Sequence, residues 1–205
     1  MRVIDSADAD AARAAAAAVR EGSLVVLPTD TVYGLGADPR SPRAVDRLLT
    51  AKGRGRDKPS PVLVASVAQA EELARKAPDV AKALMAEFWP GALTLVLPSE
   101  RLGWDLGETN GTIALRMPNH PAALELLKEA GPLAVSSANL SGRPPAATVG
   151  EAVEQLGGKV AVYLDGGSCP GGAPSTIVSF DGGLMRVLRE GGVGRGELAR
   201  FGDVA

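Results

Sequence analysis

This sequence predicts an α/β fold, a mixed β-sheet with flanking helices, on three observations. Short runs rich in β-branched residues alternate with alanine- and leucine-rich stretches of helical character. Gly or Pro bounds several of the short runs. The last two runs flank Asp181-Gly182-Gly183, a tight-turn signal for a hairpin, so the sheet should not be purely parallel.

In chain order, a helix is expected over 8–20, where the alanine run from Ala14 to Ala18 is a strong helix former. A strand at 24–27 ends at Pro28, and a helix over 43–52 precedes a strand at 61–64. A helix over 67–76 starts with Ser66 and Gln69, whose spacing lets cap and third-turn side chains satisfy each other's free amides. Another helix covers 79–87, followed by strands at 93–97 and 112–115, a helix over 121–130 and a strand at 133–136. Thr148 and Glu151 repeat the capping spacing before a helix at 149–156. A strand at 160–164 and the hairpin strands 176–180 and 184–188 complete the pattern. No internal repeat or linker-like stretch interrupts it, and 205 residues suit one domain over 1–205.

With 45% hydrophobic and 22% charged residues and a formal charge of -2, the chain falls in the ordinary globular class. Nothing global marks a nucleic-acid partner, so any such contact needs a local basic patch. The single cysteine, Cys169, excludes an internal disulfide and argues against a structural zinc site, which fits a reducing, cytoplasmic setting. Asp5, Asp8, Asp10 and Arg13 break up the start, so it does not read as a signal peptide. No run of apolar residues is long enough for a membrane span.

Several segments after strands carry candidate chemistry. Pro28-Thr29-Asp30-Thr31-Val32-Tyr33-Gly34-Leu35-Gly36 offers hydroxyls, a carboxylate and glycines for a small polar ligand; a turn held by Asp and Thr side chains is the competing account. Pro39 stands where a dinucleotide fingerprint would need its third glycine. Lys52-Gly53-Arg54-Gly55-Arg56-Asp57-Lys58-Pro59 places four cations in one loop that could wrap phosphates, or that could be a solvated face beside a helix C-terminus. It is not a P-loop. Ser136, Ser137, Asn139 and Ser141 add uncharged donors and acceptors suited to ribose, base or carboxylate. Pro174-Ser175-Thr176 and Arg186-Val187-Leu188-Arg189 complete the set. Cys169 has no histidine near it in sequence, and His120 stands at a helix start, where a capping or surface role is the simpler account. These loops point to catalysis by positioning and charge stabilisation, without a covalent enzyme intermediate.

Together the segments resemble the YrdC/TsaC family. The strings that carry the resemblance run in order: Pro28 to Gly36, Lys52-Gly53-Arg54, Trp89-Pro90-Gly91-Ala92-Leu93-Thr94, Leu115-Arg116-Met117-Pro118, Ser137 to Gly142, Pro174-Ser175-Thr176 and Leu188 to Val193. The resemblance implies a twisted mixed sheet around a deep basic cavity, in the short, single-domain form, and a threonylcarbamoyl-adenylate synthase activity. ATP, L-threonine and bicarbonate would be joined with release of pyrophosphate, in service of tRNA modification. Thr31, Arg116, Ser137 and Ser175 would meet threonine; Lys52, Arg54, Lys58, Asn139 and Arg189, with Thr112 and Thr148, would meet ATP. Magnesium would arrive on the nucleotide. A tRNA or a downstream tRNA-modification enzyme would be the partner. Some members carry a histidine where this chain has Leu63 or Ala65. Two other readings compete: a structured-RNA-binding module without catalysis, and a carbamoyl-transfer module using another donor. The few aromatic residues do not interleave with the basic loop, which weakens the first.

Overall fold

In the computed structural model, which describes residues 1–74, 76–99, 103–170 and 173–205, the chain opens with β1 (Arg2–Asp5) and α1 (Ala11–Arg20). β2 (Val25–Leu27), β3 (Gly34–Ala37), α2 (Pro42–Lys52), β4 (Val62–Leu63), α3 (Val67–Leu73) and α4 (Asp79–Phe88) follow. Then come β5 (Leu93–Pro98), β6 (Thr112–Arg116), α5 (Pro121–Ala130), β7 (Leu133–Ser137) and α6 (Val149–Leu156). A single 3₁₀ turn, Gly157–Lys159, leads to β8 (Val162–Asp165), the hairpin β9 (Thr176–Asp181) and β10 (Leu184–Arg189), and α7 (Arg195–Leu198). Among the described residues ten strands form one sheet, in the order β1-β8-β2-β3-β7-β4-β6-β5-β9-β10. The sheet is mixed as expected: β1 with β8, β2 with β8, β4 with β6 and β5 with β9 are parallel, and the remaining neighbours antiparallel.

All eight expected strands and six expected helices are present, with shifted ends. α1 begins at Ala11, three residues after the expected start, and α3 stops at Leu73. Residue 75, within the expected 67–76 helix, lies outside the described residues. β1 and β3 were not expected. Of these, β3 corrects the view of 28–36 as one loop, because Gly34 to Ala37 pairs with β2 and β7. Both capping spacings work, with one change. Ser66 and Thr148 accept from Gln69 N (3.2 Å) and Glu151 N (3.3 Å), but the return bonds reach one residue further back, to Ala65 N (2.9 Å) and Ala147 N (2.7 Å).

Side-chain alternation along the strands sorts the two faces. On one face Leu93, Leu95 and Leu97 of β5, Ile113 and Leu115 of β6, Ala134 of β7 and Val178 of β9 join the larger core with residues of α2, α3, α4 and α6. On the other, α1 and α5 cover Val25, Leu27, Val162 and Leu164 with Ala15, Ala16, Val19, Leu126 and Leu127. The alternate residues of the remaining strands, Thr94 and Val96, Ala114 and Arg116, and Ile177, line a cavity instead.

Candidate active site

The cavity encloses about 450 Å³. Its walls are apolar where Leu63, Val96, Ala114, Val135 and Ile177 face inward, and polar at Thr31, Thr94, Ser136, Ser137 and Ser175. Three guanidiniums, Arg54, Arg116 and Arg189, enter it, and no acidic residue lines it among those described. Beside it a smaller recess of about 330 Å³ is lined by Lys52, Arg54, Asp57, Lys58, Ser137, Asn139 and Ser141.

The loop between β2 and β3 serves both as turn and as wall. Thr29 Oγ1 donates to Val32 O (2.6 Å) and accepts from Thr31 N (3.1 Å), closing the turn. Because that hydroxyl proton is committed, the Thr31 hydroxyl is the donor across the 3.0 Å Thr29–Thr31 pair. Thr31 Oγ1 also accepts from Arg116 Nη1 (3.1 Å), so it can offer an incoming group only an acceptor. Arg116 is anchored further through Nε to Gly91 O (2.9 Å) and Nη2 to Asp30 Oδ1 (2.6 Å). Burial lowers its pKa, and Asp30 opposes that shift.

On the opposite wall Arg189 donates through Nε and Nη2 to Ser175 O (3.0 and 2.7 Å) and through Nη2 to Ser175 Oγ (3.0 Å). Ser175 Oγ pairs with Thr94 Oγ1 at 2.8 Å. One hydroxyl proton serves that pair, which leaves the other for a ligand. Burial lowers the Arg189 pKa, and the positive charges of Arg116 and Arg54 lower it further. Arg54 is braced by bonds to Lys58 O (2.9 Å) and Ser136 Oγ (3.0 Å). Lys52, at the C-terminal end of α2, reaches Ser137 O, Asn139 O (2.7 Å) and Asn139 Oδ1 (3.3 Å). Burial, and secondarily the charge of Arg54, bring its pKa from 10.5 down to about 8.

Thr31, Arg116, Ser137, Ser175, Arg54 and Arg189 thus line the cavity together, and Lys52, Lys58 and Asn139 line the adjoining recess. Thr112 and Thr148 line neither: Thr112 Oγ1 donates to Thr109 O (2.7 Å), and Thr148 caps α6. Arg56 departs from the expectation of four cations in one loop wrapping phosphates, since it pairs with Asp46 (2.5 Å) and with Asp105. Of the two positions named for a histidine in some members, Leu63 lines the cavity and Ala65 does not. His120 occupies the cap position of α5 without a side-chain capping bond; its Nδ1 is buried and has no partner among the described residues, and neither it nor Cys169 lines the cavity. Thr94 was missed, although its alternation with buried Leu93 and Leu95 places it on the same face as Arg116. A larger open groove of about 800 Å³ lies elsewhere, beside Arg47 and Lys159, whose side chains donate to Gly22 O (2.7 Å) and Ala51 O (3.2 Å).

A family model described as telomere recombination, Sua5/YciO/YrdC, matches residues 17–191. A Mycobacterium tuberculosis (H37Rv) relative is 54% identical over 186 residues, covering 90% of this chain and 86% of its own. The Bacillus subtilis threonylcarbamoyl-AMP synthase is 43% identical over 187 residues, and this chain spans only 54% of its length. The crystal structure of Pyrococcus abyssi Sua5 complexed with L-threonine superposes with a TM-score of 0.89 at 38% identity, over 95% of this chain and 58% of that one. Matching motifs, sheet and relatives agree, and the chain belongs to the Sua5/YciO/YrdC family.

Proposed function

We propose that this protein is an L-threonylcarbamoyladenylate synthase, which makes threonylcarbamoyl-AMP and pyrophosphate from ATP, L-threonine and bicarbonate for threonylcarbamoylation of adenosine in tRNA. The observation that carries the reading is the convergence of Arg54, Arg116 and Arg189 on a cavity that no acidic residue lines among those described. Burial, and after it the charges of Arg116 and Arg54, lower the pKa of Arg189, and a bound anion would relieve that repulsion. The Bacillus subtilis and Pyrococcus abyssi relatives bear the name threonylcarbamoyl-AMP synthase, which supports reading these anions as ATP and the threonine-derived carboxylates.

In this reading Thr31, Arg116, Ser137 and Ser175 hold threonine, while Lys52, Arg54, Lys58, Asn139 and Arg189 hold ATP. The threonine amine takes up bicarbonate with loss of water, giving a carbamate. A carbamate oxygen then attacks the α-phosphate, and the bond to the pyrophosphate leaving group breaks. The residues contribute position and charge: they bring two anions together and stabilise charge shifting onto pyrophosphate. The cavity lining offers a metal no carboxylate, and no group of three or more His, Cys, Asp or Glu converges among the described residues. Magnesium would therefore be held by the phosphates it accompanies and not by a protein cage. A walled cavity of this size favours small molecules over the RNA-binding alternative.

Pyrophosphate release measured with ATP, threonine and bicarbonate together, and with each omitted, tests the reading. Release is expected only with all three. Equal release from ATP alone would identify a nucleotide hydrolase.

A further inference from the structure

The cations of the cavity are not equivalent. Arg116 is ion-paired with Asp30 at 2.6 Å, and both side chains are withdrawn from solvent. Among the described residues Arg54 and Arg189 form no ion pair; they are held by hydroxyl and main-chain oxygens. Asp30 does not itself line the cavity. It stands behind Arg116, and the oxygen that takes the guanidinium also accepts Asn119 N at 2.9 Å, which fixes its direction.

Bonds to Gly91 O, Thr31 Oγ1 and Asp30 Oδ1 use three of the guanidinium's five N–H groups. One N–H remains on each terminal nitrogen, a pair that matches the two oxygens of a carboxylate. Asp30 behind it offsets part of the Arg116 charge, so at this corner the ammonium of a zwitterion meets a weaker cation than at Arg54 or Arg189. A polyphosphate gains more at Lys52, Arg54 and Arg189, which among the described residues form no ion pair.

We infer that Asp30 is a positioning and specificity-determining residue, whose charge divides the cavity into a less cationic corner for a zwitterionic amino acid and a more cationic side for polyphosphate. The inference rests on the proposed function and names what keeps the two ligands apart.

Asp30→Asn tests it, because the amide keeps an oxygen for Arg116 and Asn119 and loses only the charge. Calorimetric titrations with threonine and with inorganic pyrophosphate are made on the parent, Asp30→Asn and Asp30→Glu. In Asp30→Asn, threonine is expected to bind about tenfold more weakly and pyrophosphate about tenfold more tightly, now in competition with threonine. Asp30→Glu restores the charge and should return both ligands toward the parent order. Unchanged affinities in Asp30→Asn would overturn the inference. So would a parallel loss of both ligands with a matching fall in melting temperature, the mark of a merely structural role. A parent that binds threonine but releases no threonine-dependent pyrophosphate would sink the synthase reading alone. A parent that binds no threonine would sink both.

Discussion

The Lys52 ammonium is wrapped by oxygens of Ser137 and Asn139, and burial, with the charge of Arg54, brings its pKa down to about 8, which makes it sensitive to pH. The folded state holds fewer protons on this group than the unfolded chain between about 8 and 10.5, so its contribution to stability rises with pH across that window. Phosphate binding runs the other way, because it needs the charged form and raises the pKa. ATP affinity should fall between about pH 7 and about pH 9.5, with proton uptake on binding, and Lys52→Arg should flatten the profile. Titrations in two buffers of different ionisation enthalpy check this, and a flat parent profile would exclude Lys52 from the phosphate site. Arg54 lines the cavity and Lys58 is exposed, so Arg54→Ala should weaken ATP by about 1 to 3 kcal/mol and Lys58→Ala by less. Thr31→Val would strand an Arg116 N–H and remove the acceptor offered to the substrate, lowering threonine use by about 1 to 3 kcal/mol. Serine lacks only a methyl and should be used about 10- to 200-fold less well than threonine, whereas valine, which lacks the hydroxyl, should approach background. Adenylate formation with the three amino acids gives the order, and valine matching serine would deny that a hydroxyl is read.

Elements with a strong apolar pattern were legible, and those built from small or polar residues were not. β5 and β6 announce themselves by alternating leucines and isoleucine, whereas Gly34-Leu35-Gly36-Ala37 has no β-branched residue and reads as loop. It is a strand because its glycines permit close approach: a Cβ at Gly34 would lie 2.6 Å from Val135 Cγ1 across the pair with β7. β1 is short and mostly exposed, and gains its place only by pairing with β8, more than 150 residues away in sequence. For the site, charged and hydroxyl-rich loops stood out, while Thr94 looked like an ordinary sheet residue. What sequence could not show is which cations share a cavity, and Arg56, drawn off by Asp46 and Asp105, is the case in point. The segment after β10 yields an element-scale prediction. A Cβ on Gly191 would lie 2.7 Å from Ser175 C and Thr176 N and would collide with Pro174 O. Gly191→Ala should therefore push away the 174–176 segment, which leads into β9 and carries Ser175, costing about 1 to 3 kcal/mol in stability and weakening both ligands. Denaturant unfolding and titrations test it, and a variant with parent stability would show that the 174–176 segment yields freely.

At the scale of the molecule, the cavity draws on the middle of the sheet and on one end of it: β3, β7, β4, β6, β5, β9 and β10 all contribute lining residues. The loop before β3 and the residue just before β9 lie far apart in sequence, yet each meets a cavity guanidinium, Thr31 that of Arg116 and Ser175 that of Arg189. Ligands that bridge these walls bind only the folded state, so each should stabilise the whole sheet by mass action, by about 2.7 kcal/mol at a hundredfold excess over Kd. For a chain of this size that corresponds to roughly 5 to 11 °C in melting temperature. Because the strands form one continuous sheet among the described residues, unfolding should be a single transition that moves as a unit. Calorimetric scans with ATP, with threonine and with both would show it. Opposite-charge matching at separate corners predicts that the two shifts add, while mutual exclusion would place both ligands on the same cations. Two transitions, only one of which responds to ligand, would mean that the β1-β8-β2 end and the cavity-bearing strands fold as separate units, against the expectation of one domain over 1–205.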